Sequence, residues 1–199
     1  MNDMKKELEY KYNLCANTYQ LLRQLPFLAP APKEQHLVSY YYDTADFQLM
    51  QQGYALRILD YDNQFIQTLK GGGSVEGALH EREEWESIVK SNQVQVDNIP
   101  LQSIRQILEN AIANDQLLQL FITDFVRHCW EIKRKNTVIE LAIDHGVICK
   151  GNKKEKIFEL EIELILGELS EVDQFRREIE AVIELDIQQK SKAERAYAL

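Results

Sequence analysis

Cysteine is scarce: the 199 residues hold only Cys15, Cys129 and Cys149, and no two of them stand at a CxxC spacing. Disulfide frameworks and thiolate metal centres need paired or clustered cysteines, so neither is expected, and reduced thiols of a cytoplasmic protein are. No secretory leader pattern opens the chain. No apolar run approaches the roughly 20 residues that cross a bilayer, so a soluble protein without a membrane partner is expected. Basic charge is in deficit, with 23 Lys and Arg against 32 Asp and Glu for a net charge of −9. That balance argues against a nucleic-acid partner, yet it says nothing about the lining of an interior. Also missing is any Ser/His/Asp or Cys/His constellation, and no GK[ST] follows the glycines of KGGGSVEG at 70–77. Covalent catalysis and a phosphate loop are therefore not expected.

What is present is length and alternation. A chain of 199 residues with 45% hydrophobic content builds one sizeable core, and without internal repeats or low-complexity stretches a single domain over 1–199 is expected. Period-2 alternation predicts strands over 4–13, 36–42, 53–61, 64–70, 79–88, 123–133, 137–144 and 155–166. One helix begins at Pro100, with Leu101, Ile104, Ile107, Leu108, Ala111 and Ile112 on one stripe. Another begins at Ser170, with Asp173 completing a weak capping box and a stripe of Val172, Phe175, Ile179, Val182 and Ile183. PFLAPAP at 26–32 and KGGGSVEG at 70–77 read as loops.

The strands carry charge on one whole face. In ELEYK, Glu7, Glu9 and Lys11 share a side, opposite Leu8 and Tyr10. In IFELEIELIL, Glu159, Glu161 and Glu163 do the same, although Glu163 is expected to leave the charged interior and serve structure. Arg57, Lys70, Arg82 and Arg127 sit among apolar neighbours on other strands, and Glu140 and Asp144 lie opposite Ile139, Leu141 and Ile143. Each charge alone reads as a surface ion pair. Together, with helices covering the continuous apolar faces, the charged faces line either open solvent or the inside of a closed barrel, and about eight strands can close around a narrow lumen. Buried carboxylates repel unless something separates them, so such a lumen suits a polyanion with a divalent metal. Alternation leaves open which of Tyr40, Tyr41 and Tyr42 faces inward. His80, His128 and His145 read as solvated or hydrogen-bonded, and Trp85 and Trp130 as core.

ELEYK, YYYDT at 40–44, LRI around Arg57, TLK ending at Lys70, HEREEW around Arg82 and Glu84, DFVR ending at Arg127, IELAIDHG, ELEIEL and SKAERAY follow one another along the chain. In this order they resemble the CYTH domains, or triphosphate tunnel metalloenzymes, over essentially the whole length. GALHEREEWE, TDFVRHCW and SKAERAY are most similar to the bacterial inorganic triphosphatases. The resemblance implies an α+β fold, an eight-stranded antiparallel closed β-barrel with helices packed on the outside, and metal-dependent hydrolysis of tripolyphosphate to diphosphate and phosphate, with Mg²⁺ or Mn²⁺ as cofactor and a small-molecule triphosphate as partner. It implies metal held by Glu7, Glu9, Glu159 and Glu161, with Lys11 joining those four in catalysis. Lys11, Arg57, Lys70, Arg82, Arg127, Lys192 and Arg195 would grip the substrate, and Glu84, Glu140 and Asp144 would orient those cations or bind metal indirectly. Thiamine triphosphate hydrolysis, a class IV adenylate cyclase-like reaction and a non-catalytic polyphosphate-binding module are the alternatives. Two departures are visible: Arg195-Ala196-Tyr197 stands where the family often has R-G-Y, and no helical CHAD-type domain lies within these 199 residues, so its functions are not expected.

Overall fold

The structure, a computed structural model, describes residues 4–199. Eight long strands form the body: β1 (Met4–Asn13), β2 (Lys33–Thr44), β3 (Tyr54–Tyr61), β4 (Gln64–Glu76), β5 (Leu79–Val89), β6 (Leu117–Arg134), β7 (Thr137–Lys150) and β8 (Lys153–Leu166). Their order is β5-β4-β3-β2-β6-β7-β8-β1, and β1 returns to pair with β5, so the sheet closes on itself. Every pairing is antiparallel, which the tight connections between sequence neighbours β3 to β5 and β6 to β8 allow. A two-residue strand, β9 (Asp186–Ile187), adds outside the ring at Tyr12 and Asn13.

Short helices decorate the barrel: α1 (Ala16–Leu22), α2 (Gln48–Gln51), α3 (Gln102–Ala113), α4 (Leu169–Glu180) and α5 (Lys192–Ala198). The outward faces of β1, β7 and β8 present Tyr10, Tyr12, Leu141, Ile143, Leu160 and Ile162, and α4 covers them with Val172, Phe175 and Ile179. A second outer cluster joins Leu56, Leu69 and Trp85 to Ile104 and Leu108 of α3. The third lies inside one end of the barrel, where Leu37, Tyr41, Phe121, Phe125, Ile148 and Ile157 meet Ala193 and Ala196 of α5. The α3 stripe holds except at Ile112, which is exposed, and the α4 stripe holds through Ile179, whereas Val182 and Ile183 lie past the helix end at Glu180. No helix among the described residues is long and apolar enough to cross a membrane.

Two local expectations are corrected. KGGGSVEG is not a loop: β4 runs through it to Glu76, with a register shift between Gly71 and Ser74. The glycines permit close packing instead, since a Cβ on Gly73 would lie 1.7 Å from the Glu81 carbonyl oxygen and one on Gly71 2.1 Å from the Tyr54 ring. The Ser170–Asp173 capping box is absent, because α4 starts at Leu169 with Glu168 as an N-cap whose side chain makes no capping bond. Asp173 instead accepts from Tyr10 and Arg176. A complete capping box does form at Ser191 and Glu194, which starts α5.

Candidate active site

Register builds the site. Antiparallel pairing sets Lys11 opposite Glu161, Lys70 opposite Glu84 and Arg127 opposite Asp144, so the alternating charges of separate strands become cross-strand ion pairs on the inner face, while Glu7, opposite Arg82, pairs with Lys70 instead. These side chains surround a cavity of about 390 Å³. Of the sequence-predicted set, Glu7, Glu9, Lys11, Arg57, Lys70, Arg82, Glu84, Arg127, Glu140, Glu161 and Lys192 line it. Asp144 and Glu159 sit behind that lining, fully buried, and Arg195 lies beside Glu159, its Nη1 3.3 Å from Glu159 Oε2.

Two clusters occupy this interior. In the first, Lys70 Nζ donates to Glu7 Oε1 at 2.7 Å and stands 3.1 Å from Glu84, while an Arg57 Nη2 lies 4.0 Å from Glu84. Burial pushes Glu7 up, but Lys70 and Lys11 overcome it and hold the carboxyl at about 2. In the second, Lys192 Nζ lies 2.7 Å from Asp144, 2.5 Å from Glu159 and 2.8 Å from Glu161. Arg127 grips Asp144 with two parallel hydrogen bonds of 2.7 Å and also donates to Glu161. Lys11 Nζ joins the clusters, donating to Glu161 Oε1 at 2.6 Å and standing 2.8 Å from Glu9. Despite burial, Lys11, Lys192 and Arg127 hold the Glu161 carboxyl well below the usual range. Glu9 goes the other way: burial, opposed by Lys11 but reinforced by Glu7 and Glu161, pushes it up to about 8.

The carboxylates fit a hard cation. Asp144, Glu159 and Glu161 each offer an oxygen within 4.8 Å of the others. An ammonium already sits against all three, and Glu159 Oε1 touches it without the alignment of a hydrogen bond. Anionic oxygen donors that converge this closely suit Mg²⁺ or Mn²⁺. The grouping differs from the expected four glutamates: Asp144 takes the third corner of the triad, while Glu7 and Glu9 stand outside it. Pattern reading could not place Asp144 there, because it comes from β7 and its proximity to β8 depends on register.

Other residues were missed. Glu163 lines the cavity rather than leaving it, opposite Glu9 and bonded to Lys5 at 2.8 Å. Lys5 and Glu86 line it too; each continues the alternation of a predicted face by one step, and that signal was available. Of the three tyrosines, Tyr41 faces inward, stacked on Phe121 with centroids 4.6 Å apart. The histidines behave as expected: His80 is bonded to the Gln188 carbonyl oxygen, His128 to Glu34, and exposed His145 packs edge-on against Phe158.

The profile of the CYTH domain matches residues 5–197. The inorganic triphosphatase of Haemophilus influenzae is 30% identical over 203 residues, an alignment covering all of this chain and 56% of that protein. This chain therefore spans little more than half the length of that relative. Among solved structures, the putative adenylyl cyclase HpAC1 from Hippeastrum, described as having a dominant triphosphatase activity, superposes with a TM-score of 0.70 at 20% identity, over 96% of this chain and 95% of that one. A putative adenylate cyclase from Bacillus halodurans gives a TM-score of 0.64 at 19% identity, over 96% and 97%. At such identities the likeness is one of fold. The profile match over nearly the whole chain shows the rest: this chain belongs to the CYTH domain family.

Proposed function

We propose that the protein is a metal-dependent triphosphatase that hydrolyses inorganic triphosphate to diphosphate and phosphate within the barrel. The observation that carries this reading is the convergence of inward charges from seven of the eight strands, with Lys192 of α5, on one cavity. The identity to an inorganic triphosphatase over the whole of this chain supports the substrate.

As many carboxylates as cationic groups line the cavity, so its own charges leave no surplus to neutralise a triphosphate. The substrate's charge is therefore balanced only if cations enter with it, which favours a metal complex as the bound species. Asp144, Glu159 and Glu161 would hold Mg²⁺ or Mn²⁺, with Glu7 and Glu9 facing the same space. When bound, the ion supplies Lewis-acid stabilisation of phosphoryl oxygen charge and favours in-line attack by water. Arg57, Lys70 and Arg82 would receive phosphate oxygens on the β3–β5 side, and Lys11, Arg127 and Lys192 on the opposite side. Each exchanges a carboxylate partner for a phosphate oxygen, so the gain in binding is the difference between two charge-assisted contacts. A water oxygen bonds to the terminal phosphorus, the P–O bond to the bridging oxygen breaks, diphosphate leaves with that electron pair, and the proton the water loses passes to a phosphate oxygen of the products. The cations around it stabilise the charge it acquires.

The test is a substrate panel with Mg²⁺ or Mn²⁺: tripolyphosphate, thiamine triphosphate and ATP, scored for phosphate and cyclic nucleotide. Preferential phosphate release from tripolyphosphate is expected. Cyclic product from ATP, or preference for thiamine triphosphate, would replace the inorganic substrate with an organic one.

A further inference from the structure

Beside α5 the main cavity meets a second chamber of about 300 Å³. The two meet at Lys70, Arg82 and Ser191, which line both. The wall chemistry changes abruptly there. Beyond the shared cations, the side chamber is built from neutral groups such as Tyr54, Gly71, Gly73 and Val75, and Glu194 is the one carboxylate among the described residues that line it.

Glu194 is held in place. Its Oε2 accepts from Arg82 Nη2 at 2.9 Å, from the Ser191 backbone N–H at 2.8 Å and from Ser191 Oγ at 2.7 Å. The capping box that starts α5 thereby fixes a negative charge on the far side of Arg82. Among the described residues that line the chamber, no cation stands beyond Lys70 and Arg82, and both already line the main cavity.

We propose that Glu194 is a specificity-determining residue that ends the run of phosphate contacts at Arg82 and discriminates against polyphosphates longer than triphosphate. The proposal rests on the triphosphatase reading. A triphosphate in the main cavity places an end phosphate at Arg82 without entering the chamber. A longer chain extends its next phosphate past Arg82, where it meets a fixed carboxylate and neutral walls. Like charges at contact distance near a protein surface discriminate by about tenfold or more.

Glu194→Gln isolates the charge, because glutamine serves equally at the third position of a capping box. The experiment measures kcat/KM for tripolyphosphate and for long-chain polyphosphate in the parent and the variant, with unfolding temperatures for both. The parent is expected to prefer tripolyphosphate, and the variant to raise the ratio of long-chain to tripolyphosphate kcat/KM about tenfold by gaining on the long chain. An unchanged ratio in a folded variant overturns the proposal. So does a ratio that rises only because tripolyphosphate turnover falls, which would make Glu194 a residue that positions Arg82. Val75→Lys, an exposed substitution in the chamber wall, adds a cation and is expected to move the ratio the same way even if Glu194→Gln fails to fold; no movement there counts against the proposal. Should the parent release no phosphate, the triphosphatase reading fails separately. Thermal shift with each polyphosphate plus Mg²⁺ then still reads chain length, and Glu194→Gln must gain on the long chain alone.

Discussion

Asp144 is fully buried and accepts both arms of the Arg127 guanidinium, with the Lys192 ammonium 2.7 Å away. Removing this charge leaves two cations, Arg127 and Lys192, short of a buried partner. Asp144→Asn is expected to cost about 3–5 kcal/mol of folding stability, read by chemical denaturation. A loss below about 1 kcal/mol would mean that solvent, not Asp144, balances those cations. His80 provides a second test. Burial, with Lys11 and Arg82, holds its imidazole below the ordinary 6.5, against the Gln188 carbonyl and Glu194, which favour the charged ring. As the pH falls through 6.5 the unfolded chain takes up a proton at His80 while the folded chain resists it, so this contribution to stability is present above that pH and lost below it. Glu9 acts with the opposite sign over an overlapping range: its raised carboxyl stabilises at lower pH and loses that effect as the pH rises through about 8. The informative quantity is therefore the difference between His80→Gln and the parent, which should narrow as the pH drops from about 7.5 to about 5.5. At this scale the sequence was legible wherever charge alternated along one strand, as with Glu7, Glu9, Lys11 and Glu161. It was not legible for Asp144 as a partner of Glu159, because no local pattern records which strand lies next door.

Among the elements, α5 decides how complete the site is. It brings Lys192 to three carboxylates and Arg195 to Glu155 and Glu159. At its far end Tyr197 donates to Asp43 Oδ2 at 2.9 Å, and Asp43 also accepts from the backbone N–H groups of Thr44, Leu49 and Met50. YYYDT and SKAERAY, distant in sequence, thus form one anchor. Tyr197→Phe leaves a buried acceptor short of one donor and is expected to cost about 1–3 kcal/mol. It should also lower turnover through Lys192, so a variant with reduced stability but unaltered kcat would show that α5 docks without this bond. Gly73→Ala tests the β4 wall. Its Cβ would meet the Glu81 carbonyl oxygen at 1.7 Å, so the β4–β5 pairing must shift and the unfolding temperature fall. The eight strands were recognisable from alternation; six of them run longer than the pattern because pairing continues past it, while β1 matches it and β3 starts one residue later. The glycine run misled for a physical reason: glycine signals both turns and close approach, and only the neighbour across the strand, here Glu81, distinguishes them. Helix α5 escaped because seven residues are too few to show a helical period.

At the scale of the whole molecule, an acidic chain encloses a lining in which the two signs balance, so binding should require the polyanion and the metal together. Thermal unfolding separates the cases. Tripolyphosphate with Mg²⁺ at about 100 times its dissociation constant should stabilise the fold by about 2.7 kcal/mol, while either component alone gives much less. Closure of the barrel was not legible from the charges alone, since charged strand faces can equally meet open solvent; it came with the resemblance carried by the ordered motifs. The apolar cluster at one end was not legible, since nothing in the local pattern around Phe121, Phe125 and Ala193 tells an inner face from an outer one until the ring is closed. The most direct test of the central claim is phosphate release from tripolyphosphate, measured with Mg²⁺, with Mn²⁺ and after chelation. Rapid release that chelation abolishes and added metal restores is the predicted result; tight binding of tripolyphosphate with no release under any of these conditions would contradict it.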